Sequence, residues 1–220
     1  MSAKSKLVIS SVIFLLLGIA AAFIVYQPTL MQWFEDRSKL YVSSDSGLKS
    51  RFYAQRTTAI QWSQLLPDNE KFVLQKYQQR QASTPTQFAD NILLSLEASV
   101  DADYSAAMSS INSVDTFDNK SVSIAGFIVP IDFTEDRSPG NIFIVPYFGA
   151  CLHFPPPPPN QIIFAQLGIG FTAFELTQAY RINGILRRGL FEDPLGTSAY
   201  ILDVVSIEAF FENPDDFRQH

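Results

Sequence analysis

The sequence Pro146-Tyr-Phe-Gly-Ala-Cys-Leu-His-Phe-Pro-Pro-Pro-Pro-Pro-Asn-Gln161 lies between two segments of strand-like composition. It holds the only cysteine, Cys151, one of two histidines, His153, and five consecutive prolines, Pro155 to Pro159. Such a run is stiff, favours polyproline II and donates no backbone hydrogen bonds, so it does not fit the middle of a sheet. The strands of the fold must therefore be arranged around it.

Strand-like segments on both sides predict a β domain over residues 118–220. The predicted strands are Ser121–Ile131, Asn141–Tyr147, Gln161–Leu167, Tyr180–Leu186 and Tyr200–Phe211. One short helix is predicted at Phe171–Ala179. Three strands, a helix and two strands match the order of a five-stranded barrel of the OB type. Gly126 and Gly184 suit the sharp bends that barrel closure needs. The alternative is an open antiparallel sheet with helices on one face.

Helix formers dominate the preceding residues 58–117 and predict a helical extension, so the fold class is α+β. Helices are predicted at Asn69–Gln81 and Thr84–Ala98, with a third at Tyr104–Ile111. The second carries apolar residues at helical spacing, which is typical of a core-facing stripe: Phe88, Ile92, Leu93, Leu96 and Val100. Before the helices, Trp62 and Leu65 are predicted to dock on the β domain.

The N-terminal residues predict membrane attachment. Leu7–Tyr26 contains no charged residue, and 20 residues at about 1.5 Å each span the roughly 30 Å of a bilayer's hydrocarbon core. Residues 1–26 are therefore a transmembrane anchor or, alternatively, a signal peptide. Lys4 and Lys6 favour a cytoplasmic N-terminus. We expect a single-pass membrane protein with residues 27–57 as a polar tether and the C-terminal domain in the periplasm or exterior.

Charge and cysteine content exclude some classes of function. The formal net charge is -6, so the chain has no basic footprint for nucleic acid. A single cysteine cannot form an intrachain disulfide. Cys151 is then a buried apolar residue, a metal ligand or a reactive thiol.

The Cys-x-His pattern suggests a metal half-site. In a strand, residues i and i+2 project to the same face, which would place Cys151 and His153 side by side. Thiolate and imidazole suit zinc or copper, but further ligands are needed. The available carboxylates are Asp132, Glu135 and Asp136, in the loop between the first two strands.

Structural interpretations compete with this one. Cysteine is often simply buried, and Pro155 to Pro159 can form a rigid strap across a barrel end. The run can also be a protruding edge that an aromatic groove of another protein grips. A thiol enzyme would need a group to orient His153, which the sequence does not identify, so catalysis is not expected.

Gly149-Ala150-Cys151-Leu152-His153-Phe154, followed by Pro155 to Pro159 and Asn160-Gln161, resembles the signature of a bacterial family known as domain of unknown function 3299. The likeness covers most of the chain from about residue 58. It implies exported or membrane-attached proteins of Gram-negative bacteria, some resembling companions of an ABC exporter-like system linked to zinc response. Many members resemble lipoproteins, whereas this chain lacks a lipobox.

Two functions from different classes follow. The first is a membrane-anchored periplasmic accessory protein that presents a binding loop to an envelope or ABC transporter-like partner. The loop residues are Gly149, Cys151, His153, Pro155, Pro156, Pro157, Pro158, Pro159, Asn160 and Gln161. The alternative is a zinc or copper binding or trafficking protein that uses Cys151 and His153 as ligands.

Overall fold

The computed structural model describes residues 39–77, 84–150 and 156–214, together with Gly18. The chain divides into two units, Met1–Lys39 and Leu40–His220. Among the described residues, no helix has both the length and the apolar character needed to cross a bilayer. The predicted anchor lies outside the described residues, apart from Gly18.

Within residues 39–77, 84–150 and 156–214, the fold is α+β, with four helices and a seven-stranded mixed sheet. The helices are α1 (Ser46–Tyr53), α2 (Asp68–Lys76), α3 (Pro85–Val100) and α4 (Ala102–Met108). The strands are β1 (Lys39–Val42), β2 (Thr58–Ala59), β3 (Lys120–Pro130), β4 (Asn141–Val145), β5 (Ile163–Gln166), β6 (Ala179–Asp193) and β7 (Gly196–Phe210). Two 3₁₀ turns, Trp62–Leu65 and Pro159–Gln161, precede α2 and β5.

Five strands pair in a closed cycle. β3 pairs with β4, β4 with β5, β5 with β7, and β7 with β6. β6 returns to β3, where it pairs with the residues from Lys120 to Phe127. The β5–β7 and β2–β3 pairs are parallel. The predicted alternative, an open antiparallel sheet, is therefore wrong, because the sheet is mixed and five of its strands pair in a closed cycle.

Glycines in β3 and β6 permit close approach of neighbouring chain. A Cβ atom on Gly126 would lie 2.8 Å from the carbonyl oxygen of Val145 and 3.0 Å from the Trp62 ring. Gly184 lies at a register shift in the β6–β7 pair, where a Cβ would meet the Asp203 carbonyl oxygen. Both positions need glycine because backbone atoms of a neighbouring strand occupy the space that a Cβ would take.

The main core contains side chains from all five of these strands. Trp62 and Leu65 are fully buried in it, which confirms their predicted docking on the β domain. Trp62 also donates a 2.7 Å hydrogen bond from Nε1 to the backbone oxygen of Ala125. The hydroxyl of Tyr200 accepts from the Val114 amide and donates to the Leu65 carbonyl. Burial raises the pKa of this hydroxyl to about 12, against the lowering effect of the Val114 bond.

Helices α3 and α4 begin where capping side chains satisfy free backbone amides. Thr84 and Gln87 form a reciprocal capping box at the start of α3, with Pro85 as its first residue. Asp101 accepts from the amides of Asp103 and Tyr104 and so starts α4. All three predicted helices are confirmed, with shifted ends.

Three other expectations differ from the structure. Residues 40–57, placed in the tether, contain most of β1 and all of α1, and both elements pack on the sheet through Tyr41, Leu48 and Phe52. The short helix predicted within 171–179 is wrong, because this segment forms turns. The hydroxyl of Tyr180 bonds both backbone groups of Glu175 there, which holds the turn conformation.

The apolar stripe of α3 was expected to face the core, and this expectation is also wrong. Its five large apolar side chains are exposed, whereas Ala98 on the opposite face is buried. Helical periodicity reports that one face is apolar but does not report what covers it.

Candidate functional site

The described part of the predicted loop consists of Gly149 and Pro156 to Gln161. Cys151, His153 and Pro155 lie outside the described residues. The predicted juxtaposition of the thiol and the imidazole therefore stays a prediction. The two flanks of the loop can be described in detail.

The N-terminal flank is a tight turn. Gly149 has φ of +75°, a left-handed conformation that favours glycine because a Cβ would be strained there. The turn brings the Ala150 amide to 3.4 Å from the Tyr147 carbonyl oxygen and buries Ala150 against the outer face of β4. Phe148 stays half-exposed and contacts the ring of Phe127. The turn thus starts the loop from a fixed point and leaves one aromatic ring accessible.

The C-terminal flank is the proline run. Pro156 is exposed, whereas Pro157 and Pro158 are buried. Pro158 has φ −64° and ψ 156°, which is polyproline II geometry. Buried proline rings are not accessible to a groove on another protein, and this part of the run packs against the domain. A partner could contact the run at Pro156.

Asn160 ties the strap to the helical segment. It is fully buried, and its Nδ2 donates to Glu70 Oε2 at 2.6 Å and to the Asn112 carbonyl oxygen at 3.1 Å. Glu70 Oε1 also accepts from Ser110 Oγ at 2.7 Å and from Asn112 Nδ2 at 2.8 Å. Three side-chain donors thus form hydrogen bonds with the Glu70 carboxylate, whose burial without such partners would be unfavourable. Asn160 Oδ1 is buried without a hydrogen-bond partner.

Gln161 ties the strap to the core. Its Nε2 donates to the backbone oxygen of Trp62 at 2.9 Å and to that of Asn160 at 3.2 Å. Since Trp62 is itself bonded to Ala125, the end of the loop is attached to β3 through two successive hydrogen bonds. The Asn-Gln pair of the signature therefore has a positioning role.

The sequence did not single out Glu70, Ser110 or Asn112 as part of this site. One signal was present in the sequence, since Leu66, Glu70 and Leu74 follow each other at four-residue spacing. The structure buries all three side chains. A carboxylate in the middle of a core-facing stripe indicates a buried polar partner, since an unpaired buried charge is unfavourable. The identity of that partner, 90 residues away, had no local signal.

The predicted carboxylate ligands are engaged in their own loop. Asp132 accepts from the amide and the side chain of Asn141, both at 2.6 Å. Asp136 accepts from the hydroxyls of Ser138 and Thr134, which lower its pKa to about 2. Glu135 is exposed. Among the residues that the structure describes, no three His, Cys, Asp or Glu side chains group in a way that could hold a metal ion.

A cavity of about 540 Å³ lies beside the Glu70 network, between α2, α4 and residues 109–112. Glu70 and Asp103 contribute its carboxylates, and none of the described residues that line it is basic. Its volume is in the range of small-molecule pockets, but those pockets usually have aromatic linings, and this cavity has none among its described residues. The geometry of the network is therefore better explained by loop attachment than by ligand binding.

Comparisons with known proteins agree on one family. The family model described as "Protein of unknown function (DUF3299)" matches residues 62–209. A crystal structure of a DUF3299 family protein from Pseudomonas aeruginosa PAO1 is similar, with 25% sequence identity and a TM-score of 0.50. The match covers 71% of this chain and 98% of that one. A search of curated proteins finds no match.

Proposed function

Because the chain belongs to the DUF3299 family, whose function is unknown, we propose that it is a membrane-anchored accessory protein of the periplasm that presents residues 149–156 to a partner. The observation that carries this proposal is the double attachment of the loop's C-terminal end. Asn160 bonds Glu70 at 2.6 Å and Gln161 bonds Trp62 at 2.9 Å. A loop with fixed ends loses less conformational entropy on binding.

We infer that the β domain is an OB-like barrel. The closed cycle of five pairings supports this inference, as does the parallel β5–β7 pair that closes it. The close approaches of neighbouring strands at Gly126 and Gly184 suit closure. Barrels of this type commonly bind through their surface and loops, but the net charge of -6 argues against nucleic acid as the ligand.

The proposed location is the bacterial inner membrane, with a single span and the C-terminal domain in the periplasm. Its support is the uncharged 20-residue run Leu7–Tyr26 behind Lys4 and Lys6. The family resemblance favours an envelope protein as the partner, such as a component of an ABC exporter-like system. A binding role is favoured over catalysis because the side-chain amides of Asn160 and Gln161 already donate to Glu70 and to the Trp62 backbone oxygen. These bonds position the end of the loop.

Zinc or copper binding at Cys151 and His153 is the second proposal. The observation in its favour is that both flanks of these residues, Ala150 and Pro157, are buried. A segment between two fixed flanks can hold two ligands in place without a large entropic cost. The remaining ligands would have to displace existing hydrogen bonds at Asp132 or Asp136 or come from another source.

Site-specific photocrosslinking tests the first proposal. A photoreactive amino acid replaces Phe148 or Pro156 in the full chain, expressed in Gram-negative cells, and Tyr53 on α1 is the matched exposed control. We expect both loop positions, and not Tyr53, to crosslink to one envelope protein, and Asn160→Ala to weaken the crosslink. Absence of a loop-specific product, or an equal product from Tyr53, would overturn the proposal.

A further inference from the structure

The helix α3 exposes an apolar face that the proposed loop function does not use. Its five large apolar side chains are 47–84% exposed: Phe88, Ile92, Leu93, Leu96 and Val100. The fold contacts the opposite face, where Ala98 is buried. We call these five residues the α3 stripe. Contiguous apolar patches of this kind on a protein surface mark interaction sites.

The spacing of the α3 stripe fits another helix. Leu93, Leu96 and Val100 stand at positions i, i+3 and i+7, and Phe88, Ile92 and Leu96 at i, i+4 and i+8. These two rows form ridges along the helix, into whose grooves the side chains of a second helix can pack. The stripe runs through most of the 16 residues of α3.

Charge along the edge of the α3 stripe is of one sign. Asp90 and Glu97, seven residues apart, lie on the same edge of α3, beside Leu93. Serines, Ser95 and Ser99, border the other edge. From residue 84 to residue 119 the sequence contains six acidic residues and no Lys, Arg or His. The surface therefore complements a partner that carries cations beside an apolar row.

Two other occupants fit this charge less well. A second copy of α3 brings no cation to Asp90 and Glu97, because α3 has no basic residue. Helices that lie on a bilayer surface are usually rich in Lys and Arg, which attract anionic lipids. An acidic helix would be repelled by the same lipids.

We propose that the α3 stripe is the docking surface for an amphipathic helix of another envelope protein. Aliphatic residues of that helix cover the stripe, and its Lys or Arg residues pair with Asp90 and Glu97. This surface is distinct in sequence from the loop at 149–156, so either proposal can fail alone.

Two synthetic helical peptides serve as probes. Both carry Leu at alternating three- and four-residue spacing, and they differ only in having Lys or Glu along the flanking edges. Binding to the full chain in phosphatidylcholine nanodiscs is measured by fluorescence anisotropy. Because two exposed ion pairs replace two repulsive contacts, we expect the Lys peptide to bind about tenfold more tightly at low salt. The preference should shrink as salt screens the charges.

Variants separate the apolar and charged contributions. Leu93→Gln with Leu96→Gln should abolish binding of both peptides, and Asp90→Asn with Glu97→Gln should remove the preference for Lys. The matched control is Leu190→Gln with Leu195→Gln, two leucines of similar exposure elsewhere, which should leave binding unchanged. All of these side chains are exposed, so the thermal midpoint should stay the same and should exclude misfolding as the cause.

Three results would overturn the proposal. The first is equal binding of the Lys and Glu peptides at low salt. The second is a dimer, detected by analytical ultracentrifugation, that disappears in the Leu93→Gln, Leu96→Gln variant and so assigns the stripe to a second copy. The third is stronger protection of α3 amides from hydrogen exchange when phosphatidylglycerol replaces phosphatidylcholine, which assigns the stripe to the bilayer.

Discussion

The side-chain nitrogen of Asn160 donates a 2.6 Å hydrogen bond to Glu70, which lies 90 residues earlier in the chain. Glu70 is on α2, and Asn160 follows the proline run directly. This bond joins the helical segment to the loop of the β domain. Stability of the domain and placement of the loop should therefore change together.

Replacement of Asn160 by alanine tests that coupling. The variant loses the bonds to Glu70 and to the Asn112 carbonyl oxygen. Because a hydrogen bond to a charged group contributes about 1.5–3 kcal/mol, we expect the free energy of unfolding to fall by about 2 kcal/mol in urea titrations. Asn69→Ala, an exposed asparagine next to Glu70, is the control and should change little. Equal stability of the two variants would show that the network does not stabilise the fold.

Gly126→Ala tests the close packing of β3. The added Cβ would lie 2.8 Å from the Val145 carbonyl oxygen and 2.9 Å from the Ile144 side chain. Overpacking of this kind costs about 1–3 kcal/mol, and we expect a loss in that range, measured by chemical denaturation. Gly196→Ala is the matched control, since its nearest neighbours would be 3.8 Å away. A Gly126→Ala protein as stable as the control would contradict the tight contact with β4.

Asp136 should make the β3–β4 loop sensitive to acid. Hydrogen bonds from Ser138 and Thr134 lower its pKa to about 2, below the unfolded value of about 3.9. A depressed folded-state pKa stabilises the protein above the unfolded pKa, and this contribution is lost as the pH falls from about 4 to about 2. Asp136→Asn should lower the thermal midpoint at pH 7, and the difference from wild type should shrink over that window.

The neighbouring Glu135 provides the control for this pH effect. Glu135→Gln removes the same charge from an exposed side chain of the same loop, without removing the bonds from Ser138 and Thr134. Its thermal midpoint should stay close to that of wild type. If both variants behave alike, net charge rather than the hydrogen bonds of Asp136 determines the acid sensitivity.

The metal hypothesis predicts zinc or copper in the purified full chain. Prepared without chelator, the protein should contain about one equivalent by mass spectrometry of the metal content, and Cys151→Ser with His153→Ala should remove it. Bound metal should also raise the thermal midpoint of wild type and not that of the double variant. A chain that stays metal-free with zinc supplied, and whose midpoint does not respond to added metal, would exclude this function.

Much of the β domain could be predicted from local pattern. The five predicted strands coincide with β3 to β7, and the three helices with α2 to α4, because alternation and helical spacing are local properties. The strand prediction from the sequence missed β1 and β2, which have only four and two residues. It also missed the extension of β6 and β7 into a long hairpin through Pro194 and Leu195. Such short or extended elements depend on pairing partners, which local pattern does not reveal.

The candidate site could also be predicted only in part from the sequence. The sequence singled out Asn160 and Gln161 as parts of a signature but could not identify their partners, Glu70 and Trp62. It suggested Asp132 and Asp136 as ligands, whereas both carboxylates satisfy amides and hydroxyls of their own loop. Short polar side chains often bond nearby backbone in this way, and the choice depends on loop conformation.

The sequence alone determined the α+β class, the membership in the DUF3299 family, and the apolar character of one face of α3. Only the tertiary structure decided that five strands close on themselves, that Pro157 and Pro158 are buried, and that the α3 stripe is exposed. The physical reason is that periodicity records which side chains share a face, whereas burial depends on which distant segments pack against that face.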